Sequence, residues 1–137
     1  MLQVYSSNLT VPANTAFTFN NVVLDKGCGE RLGGASTIEL EKRGVYLVEV
    51  DGFATPDAAT EVSIQLVVNG VPQPQAISTF VPAAVTDTRT FGFKTFVRVT
   101  ENNCQCNCLT SPTTIQCMNG ETDLSEAHIN MVVTQIR

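Results

Sequence analysis

The sequence predicts an all-β protein, a sandwich or jelly roll of about 8–10 short strands. Two observations carry this expectation. Several segments alternate apolar and polar side chains with period two, the mark of a strand with one buried face. Between them lie clusters of Gly, Pro, Asn and Asp that read as turns: Lys26-Gly27-Cys28-Gly29, Gly33-Gly34, Thr55-Pro56-Asp57, Pro72-Gln73-Pro74 and Asn119-Gly120.

In chain order, residues 2–5, 16–19 and 36–40 are the first strand candidates. Residues 44–51 read differently: Val45, Tyr46, Leu47, Val48 and Val50 are nearly continuous, as expected of a strand covered on both faces. In the next candidate Val62, Ile64, Leu66 and Val68 alternate with Ser63 and Gln65. Asn69-Gly70 follows at once, a strong hairpin signal because both central residues of such a turn take positive φ. Residues 77–80 give a weaker strand. Phe91, Phe93, Thr95, Val97 and Val99 alternate with Thr90, Gly92, Lys94, Phe96 and Arg98 in a clear one. Residues 113–118 follow. Residues 124–128 read as a helical turn, opened by Asp123 or Ser125 as a cap. Ile129, Met131 and Val133 then alternate with Asn130, Val132 and Thr134 in a closing strand. No internal repeat or linker is visible, so residues 1–137 are expected to form one domain.

Composition narrows the function classes. Hydrophobic residues are 43% of the chain, enough for a core, while charged residues are 15% against a usual value of about 25%. Ser, Thr, Asn and Gln fill 41 of 137 positions, so the surface is mostly uncharged and polar. A net charge of −5 argues against nucleic acid or anionic membrane as a partner through bulk charge. No apolar run approaches the ~20 residues of a membrane-spanning helix. The first residues carry neither the basic nor the apolar region of a secretion signal.

Three pieces of the chain, taken in order, point to a family. Residues 44–52 have the form G-x-Y-x-V-x-V-x-G, residues 62–71 form a strand ending in an N-G-V turn, and an apolar strand closes the chain over 127–136. Together these resemble the trimeric jelly rolls of the tumour-necrosis-factor (TNF) and complement globular-head superfamily. The likeness is greatest to bacterial and phage members, such as the heads of collagen-like spore-surface glycoproteins and Firmicutes phage virion proteins. The resemblance covers residues 36–136. It implies a TNF-like homotrimer, with the N- and C-terminal strands side by side on an inner sheet, and no catalysis. Residues 1–137 contain no collagen repeat of the kind that precedes the spore heads.

The strand at 90–99 gives trimerisation a physical reason. Phe91 and Phe93 lie on one face, and Phe96 lies on the other beside Lys94 and Arg98. Both faces ask for burial, and one sandwich offers one interior. The surplus face is expected to meet a neighbour, so Phe91, Phe93 and Phe96 are the candidate trimer-interface residues.

Chemistry-bearing residues are few. Five cysteines are present, with Cys104, Cys106, Cys108 and Cys117 in one segment and Cys28 alone between two glycines. On a strand, neighbouring thiols of C-x-C-x-C would stand ~7 Å apart in line, which suits neither a zinc knuckle nor a direct disulfide. Three readings stay open: passive reduced thiols, a disulfide from Cys117 to one of the triplet, or a thiolate metal site. The expectation adopted is no metal and no cofactor, with those four cysteines the only thiolate candidates. His128, the single histidine, would have to serve any triad with Ser125 or Ser111 and Asp123, yet no nucleophile-elbow motif supports one. Glu121, Asp123 and Glu126 lack the order of a calcium loop. Gly27, Gly29, Gly33 and Gly34 match no phosphate-binding pattern. The expected protein is not an enzyme.

Two functions remain. The first is a phage virion protein, a trimeric capsid-decoration, head-fibre or fibre-cap protein assembled in the host cytoplasm, with itself and a capsid or other virion protein as partners. The alternative is a surface binding module, either a spore- or cell-surface head or a glycan-binding tip. Sugar sites favour exposed aromatics, and this chain has no Trp and two Tyr.

Overall fold

A computed structural model describes residues 1–27, 29–85, 87–100 and 112–137. Among these residues ten strands run in chain order: β1 (Leu2–Val11), β2 (Asn21–Asp25), β3 (Glu30–Leu32), β4 (Ile38–Leu40), β5 (Gly44–Pro56), β6 (Val62–Val68), β7 (Val71–Phe80), β8 (Arg89–Val99), β9 (Thr113–Asn119) and β10 (Leu124–Gln135). They form two five-stranded antiparallel sheets, β2-β1-β10-β5-β8 (sheet A) and β3-β4-β9-β6-β7 (sheet B). The fold is therefore an all-β jelly-roll sandwich, as the alternation predicts.

The core lies between the sheets. Val4, Tyr46, Val48, Ile129, Met131 and Val133 point into it from sheet A, and Ile38, Leu40, Ile64, Leu66 and Ile115 from sheet B. Tyr46 is fully buried, and its hydroxyl lies within hydrogen-bonding reach of the carbonyls of Lys42 (2.8 Å) and Gly29 (3.1 Å). The two glycines that frame the 44–52 motif are both places of close approach. A Cβ on Gly52 would collide with the His128 carbonyl and the Phe91 ring, and one on Gly44 with the Arg137 carbonyl. Asn69 and Gly70 take φ of 50° and 81°, as the predicted hairpin turn between β6 and β7 requires.

Four expectations need correction. Residues 124–128 are not helical: they open β10 and pair with β5. The register slips between Ser125 and His128, and Glu126 sits at φ 49°, so a β-bulge breaks the period that would have marked the strand. Residues 16–19 are not a strand either, making one bridge from Ala16 to Met118. Phe17 and Phe19 nevertheless fill the core, and the Ser6 hydroxyl donates to Thr18 O (2.7 Å) and accepts from Asn20 N (2.8 Å) in place of a ladder. Residues 44–51 are covered on one face only. Tyr46, Val48 and Val50 are buried, whereas Val45 and Leu47 are half-buried and Glu49 and Asp51 exposed. Last, the Pro72-Gln73-Pro74 turn lies inside β7, whose place at the edge of sheet B leaves room for residues without an N–H.

Candidate assembly face

The outward face of sheet A gathers the residues that the core does not use. Register sorts them into cross-strand rows. His128 pairs with Phe53; Tyr5, Asn130, Asp51 and Gly92 form the next row; then come Gln3, Val132, Glu49 and Lys94; then Thr134, Leu47 and Phe96.

The first row is an aromatic cluster. The His128 ring stacks on Phe53 at 5.1 Å and 14°, and Tyr5 approaches it at 6.2 Å. The Ser7 hydroxyl lies 3.0 Å from His128 Nδ1. Beside the cluster runs a polar ladder: Gln3 Nε2 donates to Asn130 Oδ1 (3.0 Å), and Asn130 Nδ2 donates to Asp51 Oδ1 (3.1 Å). Because Gly92 has no side chain, the ladder borders a shallow concavity of about 480 Å³ with Glu49, Lys94 and Val132. A second concavity of about 480 Å³ follows between Leu47, Gln75 and Phe96. Phe53 is 37% exposed and Phe96 62%. The face thus has apolar side chains at both ends and a hydrogen-bonded ladder between them.

The three interface candidates from the sequence separate here. Phe91 is buried in the chain's own interior, its ring 5.8 Å from that of Phe17, and Phe93 is half-buried against the same core. These two are core residues, a correction with a simple cause: the alternation is real, but their face is the one that meets sheet B. Phe96 alone of the three reaches the open face. Sequence reasoning missed Tyr5, Leu47 and Phe53 as its companions. The signal was present in the apolar residues on both faces of 44–53.

Among the described residues the other candidates do not assemble a site. Cys117 is a free thiol sealed in the core, where burial pushes its pKa far above the ordinary thiol range and keeps it neutral. Cys28, Cys104, Cys106, Cys108 and Ser111 lie outside the described residues. Among the described residues no three His, Cys, Asp or Glu side chains are grouped to hold a metal. Asp123 accepts from Ala13 N (2.6 Å), and the Ser125 hydroxyl binds Thr55 O (3.3 Å) and Asp57 Oδ1 (3.0 Å), so neither engages His128.

No protein-family model matches the chain, and no curated protein matches it by sequence. Solved structures do. The globular domain of zebrafish complement 1qA protein aligns with TM-score 0.72 at 8% identity, covering 99% of this chain and 96% of that one. Eiger TNF from S. frugiperda aligns with TM-score 0.70 at 9% identity, covering 99% and 92%. PRD1 vertex protein P5 aligns with TM-score 0.63 at 16% identity, covering 99% and 96%. At these identities the likeness is one of fold. The chain has the TNF-like jelly-roll fold of the complement and TNF heads.

Proposed function

We propose that residues 1–137 form one head domain that assembles as a homotrimer on a virion, as a capsid-decoration, head-fibre or fibre-cap protein acting by assembly rather than catalysis. The observation that carries this is the open face of sheet A, where Tyr5, Phe53, Leu47 and Phe96 remain outside a core that is already complete. Copies packing through this face would remove that area from water and leave the polar side chains of sheet B outside. The fold it shares with PRD1 vertex protein P5, a phage protein, supports the virion setting.

Native mass spectrometry tests the assembly. A species at three times 14.8 kDa is expected, and a persistent monomer at micromolar concentration would overturn it. Co-sedimentation with capsids then tests the location, with failure to bind any virion particle counting against it. A glycan-binding tip draws on one feature, a depression of about 430 Å³ on sheet B bordered by Asn14, Ser63, Gln65 and Gln116 above Val67 and Met118. Neighbouring capsid or tail genes would favour the virion reading, and a collagen-like partner gene the spore head.

A further inference from the structure

The single histidine of the chain sits inside the aromatic row of sheet A. Its ring lies 5.1 Å from that of Phe53 with 14° between the planes, and Tyr5 approaches at 6.2 Å. With the two rings stacked, a surface that covers Phe53 covers His128 too. A seam closing on this face therefore takes in the one side-chain type whose ordinary pKa falls between about pH 5 and 8.

The surroundings fit the neutral ring better than the charged one. The Ser7 hydroxyl stands 3.0 Å from Nδ1 and serves either tautomer, donating to a bare nitrogen or accepting from an N–H. Protonation puts an N–H on both nitrogens, and among the described residues Nε2 has no acceptor. Of the strands packed against the ring, β1 brings Tyr5 and Ser7 and β5 brings Phe53, all uncharged in this pH range. Thr90 of β8 lies opposite Phe53, and Asn21 of β2 opposite Tyr5. The next carboxylates along these strands are Asp51, one row on and already accepting from Asn130 (3.1 Å), and Glu126, exposed at the bulge of β10. Neither forms an ion pair with His128. While the face is open, water solvates an imidazolium there. Once a second copy covers it, an unpaired charge costs more than its attraction to the two rings returns.

We propose that His128 makes assembly through sheet A pH-dependent: copies associate over the neutral ring, and its protonation separates them. The inference rests on the assembly reading above and supplies that assembly with a control. Bulk charge acts in the opposite direction. The chain carries −5 at pH 7, so acid lowers the repulsion between copies and by itself favours association.

The test is sedimentation velocity of the full chain over a concentration series from about pH 8 to about pH 5. The association constant should fall about tenfold per pH unit for each histidine enclosed, so its logarithm should approach a slope of three for a trimer below the ordinary histidine pKa of about 6.5. Because the chain has one histidine, its ring-proton resonance reports the same event, and its midpoint should lie lower in the oligomer than in diluted, dissociated protein. His128→Phe keeps a stacked ring that takes no proton, and its oligomer should persist in acid. His128→Gln, which keeps a hydrogen-bonding partner for Ser7, should show the same loss of pH dependence. An association constant that is flat or rises as pH falls overturns this inference alone, as does an equal slope in both variants. Loss of the β circular-dichroism spectrum over the same range would place the effect in the fold and overturn it as well. A monomer at every pH overturns the assembly reading and this control with it.

Discussion

The two outward faces of the sandwich meet water in different ways. Across the centre of sheet B, Gln65 and Gln116 stand outward beside Val67 and Met118 and bond to other side chains or to backbone: Gln116 Nε2 donates to Thr37 Oγ1 (3.1 Å) and Ser36 Oγ (3.4 Å), and Gln65 Nε2 to Gln73 O (3.0 Å). Sheet A has a comparable ladder in the middle but closes it at both ends with rings and aliphatic groups. One face intersperses its amides and hydroxyls with single apolar side chains such as Val67, Met118 and Ile77. The other gathers exposed rings, Phe53 and Phe96, at the two ends of its ladder. The same strand period serves both, so what separates them is the identity of the outward residue, not the backbone.

Four experiments would break or sharpen this contrast. The largest effect belongs to the interior that both sheets share. Leu66→Ala should lose about 2–5 kcal/mol in chemical denaturation, since it deletes a fully buried side chain, and a loss near zero would mean that the core is not packed as described. Next comes the open face of sheet A. Phe53→Asp should convert the proposed trimer to monomer in sedimentation velocity while the β circular-dichroism spectrum is kept, because removing an interfacial ring weakens association by about 2 kcal/mol or more. If the oligomer persists, assembly uses another surface. On sheet B, Gln116→Ala should cost only about 0.5–1.5 kcal/mol of stability and leave the oligomeric state untouched. A change of assembly there would erase the difference between the faces.

The smallest effect lies at alkaline pH. Burial raises the Cys117 pKa in the fold above its unfolded value, so the neutral thiol's contribution is complete below the unfolded pKa of about 8.5 and is lost as pH rises beyond it. Stability should therefore decline above that pH, with a shallower decline in Cys117→Ala. Mass-mapped alkylation should find Cys117 protected until the chain unfolds; rapid labelling under native conditions would contradict its burial.

How much of the fold is legible in the sequence depends on burial geometry. β6, β8 and the second half of β10 bury one face and expose the other, so their period shows. β2 buries neither face; Val22 and Val23 are both exposed at the sheet edge, and no alternation betrays it. β3 is three residues long within a glycine-rich stretch. The bulge at Glu126 inverts the phase of β10 partway along, which is how a strand reads as a helical turn. The assembly face is half visible. Phe96 follows from alternation, but which face of an apolar strand meets its own core is decided by the sheet across from it. Alternation alone therefore places Phe91 and Phe93 outside and overlooks Tyr5 and Phe53.

The bulge at Glu126 is not alone. Beside it, β1 slips register between Ser6 and Leu9, with Asn8 at φ 56°, and Leu9 lies opposite Ala127. Two adjacent strands thus reset their phase at the same height, drawing a seam across sheet A. On one side are the rows that hold Asn130, Asp51 and Leu47; on the other are Val11, Leu124 and the loops they lead into. An inserted or deleted residue beyond the seam need not rotate the strands on the near side, since re-phasing is already built in there. The molecule can therefore vary the loops at that end while its aromatic face keeps its register.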